Sequence, residues 1–268
     1  MKARVVPLAP GDTVTRKARR ALLQRAAAVT VGPLPTCPEA AAFWSERAWS
    51  ELAAVPAMSQ SALAWLRHGG DTDSLGSLMQ MGVDEVRHAE LARDVAEGLG
   101  GYEATIPPGA AWEPALLGEP SGMPLPFWVV ANGCISETVS LALMQARAAH
   151  THHPVAARVL RAVMKDEAVH QRVGWNLAKQ VLPAVSRPMQ KELGEYARAM
   201  FEMLFMTFAT RGLTPRHRQR ARHIREVTAA RGLGACPPDE ADHVCQAVIE
   251  GTIMPRLRGL GVPVPAPR

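Results

Sequence analysis

The chain has 268 residues, a formal net charge of +5 and 47% hydrophobic residues, of which few are aromatic. That is enough for one main domain with a sizeable core, and more length than a bare four-helix bundle needs. Four scattered cysteines (Cys37, Cys134, Cys236, Cys245) exclude a disulfide framework or a zinc motif. The start, Met1 to Pro7, lacks the apolar run of a secretory signal, and no stretch of about 18 apolar residues stands out as a membrane span. A reduced, cytoplasmic protein is the resulting expectation.

Ala, Leu, Arg and Met dominate, which favours an all-α fold. Residues 1–35 read as a basic N-terminal arm, with a helical piece from Thr15 to Ala28 between Pro/Gly segments. A first bundle helix runs from about Pro38 to Arg67, with Trp44, Ala48, Glu51, Val55 and Met58 on one stripe. Pro56 is expected to kink it, and His68-Gly69-Gly70 ends it. Asp71 or Asp73 caps a second helix that reaches about Glu97 before Gly98 and Gly100; its inward face carries Leu78, Met81, Glu85, His88, Ala92 and Val95. A Pro/Gly-rich crossover, roughly 100–126, leads to a third helix, Leu125 to Ala149, with Val130, Cys134, Glu137, Leu141 and Met144 on one face. Pro154 opens a fourth helix that ends near Leu182. These helices make a bundle over 36–184.

A C-terminal helical extension follows over 185–258. Met189 to Thr210 is rich in Met and Phe (Met200, Phe201, Met203, Leu204, Phe205, Met206, Phe208). It is expected to pack over the first and third helices, to wall a pocket there, or to serve core or dimer packing. Thr214-Pro215 starts a basic sixth helix, Pro238 to Met254 forms a seventh, and 259–268 reads as a Pro-rich tail.

Two segments inside this pattern repeat one motif, Asp84-Glu85-Val86-Arg87-His88 and Asp166-Glu167-Ala168-Val169-His170. A carboxylate and an imidazole three residues apart project about 60° apart around a helix and grip one ion from the same side. Each motif follows a helical glutamate among apolar neighbours, Glu51 at 34 residues before Glu85 and Glu137 at 30 before Glu167. Two single glutamates plus two Glu-x-x-His pairs is the ligand set of a dinuclear carboxylate site in a four-helix bundle. Glu46 competes with Glu51, but its neighbours are more polar and it stands 39 residues before Glu85. Oxygen and imidazole donors suit iron or manganese, and a buried carboxylate without a cation is costly. Asp84 and Asp166 are placed to accept the outer ring N–H of the opposing histidine, Asp84 for His170 and Asp166 for His88. The competing role for these aspartates is pairing with Arg87 or Lys165.

Charge is uneven. Residues 1–35 carry seven Lys/Arg against one Asp, and 211–231 seven Arg against one Glu, so the rest sums to −7. The basic segments either form solvated helix faces or attract an anionic partner, such as a carrier-tethered substrate or RNA.

At the ligand residues, over roughly 38–182, the chain resembles the ferritin-like diiron carboxylate superfamily. Asp84-Glu85-Val86-Arg87-His88-Ala89-Glu90 is similar to D-E-x-R-H-A segments of its uncharacterised bacterial members. The resemblance implies a four-helix bundle with a long crossover between helices two and three. It also implies two Fe ions (or Mn/Fe) at a catalytic centre made of Glu51, Glu85, His88, Glu137, Glu167 and His170. No named subfamily matches: Ala92 stands where the radical tyrosine of the ribonucleotide reductase subunit falls, and no Cys-x-x-Cys module of rubrerythrins is present. Val163 stands where arylamine N-oxygenases place a histidine, and Leu141 where multicomponent monooxygenases place a threonine.

Two functions follow from the resemblance. One is an oxygenase or oxidase that uses O2 as co-substrate, an external electron donor such as a reductase or ferredoxin, and a small-molecule or carrier-tethered substrate. Ala48, Ala92, Gly133, Cys134 and Leu141 are the expected pocket residues for it, with Ala89 and Ser140 as further small residues, although small residues also let helices approach. The other is a ferroxidase or peroxide-scavenging iron-handling protein with no organic substrate.

Overall fold

Cap residues set the helix ends in the computed structural model, which describes residues 31–103, 123–208 and 214–265, without the side chains of 205–208. Most of the expected basic arm and crossover, the end of the fifth helix and the last three residues lie outside the described residues. Seven helices and no strand form among the described residues. Helix α1 spans Pro38–Arg67, with proline in its first turn where no backbone donor is needed. It continues through Pro56 as α-helix. Helix α2 spans Thr72–Leu99; the Asp71 side chain accepts from the Ser74 N–H at 2.8 Å, and Gly100 closes it at φ 131°, a conformation that side chains disfavour. Helix α3 spans Leu125–Ala149, but Val129–Ser136 within it winds as π-helix. Helix α4 spans Pro154–Val181 and α5 spans Arg187–Phe208. Helix α6, Pro215–Ala230, is capped by Thr214, and α7 runs through Pro238–Val248, a π-helical Ile249–Ile253 and Met254–Gly259.

Helix α1 packs along α2, α3 along α4, and α2 against α4. Buried apolar residues form two separate cores. Met58, Leu78, Met81, Val130, Ile135 and Val181 belong to the first; Trp44, Ala48, Leu91, Val95, Met144 and Leu160 belong to the second. Chain direction follows from this membership. Helices α1 and α4 start in the second core and end in the first, while α2 and α3 run the other way. The end of α2 and the start of α3 therefore lie at opposite cores.

Helix α3 meets the length and apolarity of a membrane span, which corrects the sequence expectation, yet 78% of its most apolar window is buried inside the protein. Its apolarity serves the first core. Helix α5 packs on the first half of α3 and on α7, placing Leu193, Ala197, Phe201 and Leu204 in the first core. Helix α6 lies on α1, where the Trp44 indole N–H donates to the Leu233 carbonyl at 2.7 Å. The segment read as a tail is packed rather than free as far as Val264: Val262 and Val264 are buried, and Arg258 Nη2 donates to the Val264 carbonyl at 2.7 Å.

Candidate metal centre

The apolar stripes of α1, α2 and α4 pass from one core to the other through a short polar stretch. Glu51 lies between Ala48 and Ala57 on α1, Glu85 and His88 between Met81 and Leu91 on α2, and Glu167 and His170 between Val163 and Trp175 on α4. Glu137 joins them from α3, at the first α-helical residue after the π segment. All six are buried, between 1% and 6% exposed. Sequence spacing predicted these residues, and the structure brings all six together.

Their donor atoms fall into two overlapping groups, Glu51/Glu85/His88/Glu167 and Glu85/Glu137/Glu167/His170, each with its atoms within 4.8 Å of one another. Glu85 and Glu167 belong to both. His88 Nδ1 lies 3.5 Å from Glu167, 3.8 Å from Glu85 and 3.9 Å from Glu51. His170 Nδ1 lies 3.4 Å from Glu85, 3.5 Å from Glu137 and 3.8 Å from Glu167. These separations are longer than hydrogen bonds, and both Nδ1 atoms and Glu137 Oε2 are buried without a hydrogen-bond partner. Orphaned buried donors and acceptors facing one another need a third body between them. A cation in each group would satisfy them.

The far side of each ring is engaged by an aspartate. His88 Nε2 is 3.2 Å from Asp166 Oδ2, and His170 Nε2 is 3.3 Å from Asp84 Oδ2. The Nε2–H donates to the carboxylate, which leaves the Nδ1 lone pair for a cation. Both readings of the aspartates hold together here, because Arg87 pairs with Asp166 and lies 3.7 Å from Asp84. Gln80 Nε2 also donates to Asp84 at 3.1 Å.

Electrostatics state the same need. Burial raises the Glu51 pKa to about 8, although Arg47 pairs with it, and burial together with the Glu167 charge raises Glu137 well above the carboxylate range. Burial works against charge on Glu85 as well, but the neighbouring His170 and His88 imidazoles outweigh it and lower that pKa. Burial likewise opposes charge on His88, yet Glu167 and Glu85 hold it at about 9. The carboxylates around each imidazole thus favour positive charge between them. Metal ions displace protons from such ligands on binding.

Glu46 is outside both groups; burial raises its pKa, and Arg225, Arg220 and Arg147 face it. The residues expected to line a pocket are all buried. Ala48 and Ala92 sit in the second core, Cys134 in the first, and Leu141 is buried at 9% exposure. Gly133 has no space beside it, because a Cβ there would stand 2.7 Å from Gly174 Cα on α4. Sequence reasoning did not single out Arg47 or Arg147, since arginines in a helix are ordinarily solvated.

Asp166→Asn is expected to weaken metal affinity by about 10- to 100-fold while keeping the fold, as loss of a partner to a ligand imidazole does. Competition titration against a chelator measures it; wild-type affinity in the variant would remove Asp166 from the site's working parts. Compared with protein-family models and with curated proteins, the sequence matches none.

Proposed function

We propose that the chain is a ferritin-like dinuclear carboxylate protein that activates O2, an iron (or Mn/Fe) oxygenase or oxidase acting on a small organic or carrier-bound substrate. One observation carries this reading: two four-residue groups that share Glu85 and Glu167. Glu51 and His88 would hold one ion and Glu137 and His170 a second, with Glu85 and Glu167 available to both. The opposed directions of α1/α4 and α2/α3 also agree with a bundle whose second and third helices are joined by a long crossover. When bound, such an ion pair supplies the redox chemistry of O2 activation, recharged by an external electron donor such as a reductase or ferredoxin.

The chain's residues prepare for that chemistry. Four ionised carboxylates would balance the charge of two divalent ions. Asp84 and Asp166 fix the ring orientations of His170 and His88, and Arg87 pins Asp166. The two apolar cores on either side keep bulk water away and strengthen each electrostatic contact.

The closed packing around the six residues also favours a second reading, a ferroxidase or peroxide-scavenging protein that admits only ions, O2 or peroxide. Elemental analysis tests the shared premise: about two Fe or Mn per chain are expected after metal-replete expression, as in paired-metal sites. Zinc-only or metal-free protein after anaerobic iron reconstitution overturns both readings. O2 consumption with an oxidised organic product supports the oxygenase, and consumption with ferric iron as the sole product supports the alternative.

A further inference from the structure

Beside Glu51 the structure brings together two arginines that each hold a buried N–H atom without an acceptor. Arg47, one turn before Glu51 on α1, pairs with that carboxylate. Arg147 comes in from the last turn of α3, its guanidinium carbon 5.4 Å from the centre of the buried Phe43 ring. Arg47 Nε and Arg147 Nη1 are both buried and have no acceptor. Burial, then the neighbouring Arg47, lowers the Arg147 pKa to about 9, with Arg225 adding to the repulsion. At neutral pH Arg147 is still a cation. The groups that face it from α1, α6 and the loop before α7 are Arg47, Arg225, Glu51, Glu46 and Cys236. Glu51 is the nearest carboxylate to Arg47, and on the reading above its charge belongs to a metal ion.

We propose that Arg147 and Arg47 form an anion-recognition site for the carboxylate of an organic substrate, holding that substrate beside the metal position at Glu51. This rests on the function proposed above and names its substrate class. Two unsatisfied N–H donors in buried guanidinium groups call for an acceptor, and a negative one also relieves the repulsion between the cations. A guanidinium fork matches a planar carboxylate through two parallel hydrogen bonds, which a neutral amide or alcohol cannot replace. Phe43 lies against the Arg147 guanidinium, whose Nη1 has no acceptor. Position decides between substrate and structural anion: Arg47 touches Glu51 directly, so an anion shared with Arg147 sits next to a metal ligand.

The test is a titration of the full chain, metal-loaded and metal-free, with benzoate, benzamide and inorganic phosphate, read by isothermal titration calorimetry. Metal content is measured on the same samples. Saturable benzoate binding is expected, with benzamide weaker by about tenfold or more, as for loss of a charge-assisted pair. Arg147→Gln is expected to weaken benzoate by about tenfold or more with unchanged metal content, and Arg147→Lys by less, because charge survives and the fork does not. Equal binding of benzoate and benzamide, or unchanged benzoate binding in Arg147→Gln, overturns the proposal; tighter binding of phosphate than of benzoate overturns the carboxylate class. Should Arg147→Gln fail to fold by circular dichroism, unchanged benzoate affinity in Arg147→Lys overturns the forked recognition instead. A chain that takes up two ions yet shows no benzoate preference refutes this inference alone. A chain that takes up no redox metal refutes the function, and the metal-free titration still decides the arginine pair.

Discussion

Glu167→Ala is expected to lose both metal ions, His88→Ala mainly one, and both variants all O2 consumption. Glu167 contributes a donor atom to each of the two groups, whereas His88 belongs to one. Removing the shared carboxylate also removes the charge that keeps two cations close, so the second ion loses its reason to stay. His88→Ala leaves Glu51, Glu85 and Glu167 on its side, a set of oxygen donors that holds iron weakly, and leaves the His170 group intact. Metal content by elemental analysis should fall from about two per chain toward zero in the first variant and toward one in the second, judged against paired-metal sites. Equal losses in both variants would mean that the two positions fill only as a pair. Full metal in Glu167→Ala would break the shared-ligand arrangement.

The second large effect concerns packing rather than ligation. Gly174→Ala places a Cβ 2.1 Å from the Gly133 carbonyl oxygen and 2.4 Å from its Cα, and Gly133→Ala meets the Gly174 backbone at 2.7 Å. All of these are backbone atoms, which cannot rotate away as a side-chain tip does. Helices α3 and α4 must separate, and overpacking of this kind costs about 1–3 kcal/mol or more. Because α3 carries Glu137 and α4 carries Glu167 and His170, separation also widens the second metal group. Chemical denaturation of Gly174→Ala should show a lower midpoint, and metal titration a weaker second site. A wild-type midpoint would show that the two backbones do not meet this closely in solution.

The contrast between these two cases explains what could be read from the sequence. The repeated Asp-Glu-x-x-His segments and the glutamates ahead of them announce themselves because ligand chemistry admits few residue types and helix geometry admits few spacings. Asp71, Gly100 and Thr214-Pro215 announce helix ends for the same kind of reason: each solves a local backbone problem with its own side chain or lack of one. Gly133 carried no such signal. A small residue on an inward face serves either an open pocket or a close helix crossing, and only the partner across the interface, Gly174, decides. The π segment Val129–Ser136 was hidden as well, since its mostly apolar residues keep no period that would betray the change in winding. Arg147 looked like an ordinary charged position until Phe43, Arg47 and Glu51 were seen around it. Val262 and Val264 stood among prolines and glycine, a composition shared by free tails and by packed extended chain.

The separation of the two apolar cores by a layer of charge sets an order of maturation. Each core can condense on burial of its own apolar surface, without any ion. The layer between them is where condensation meets opposition, because its carboxylates gain nothing from leaving water until a cation arrives. On the function proposed above, folding would bring the chain to a metal-ready form, and ion binding would close the layer between the two cores. A chelator acting on the finished protein would loosen the molecule at its waist while sparing both ends.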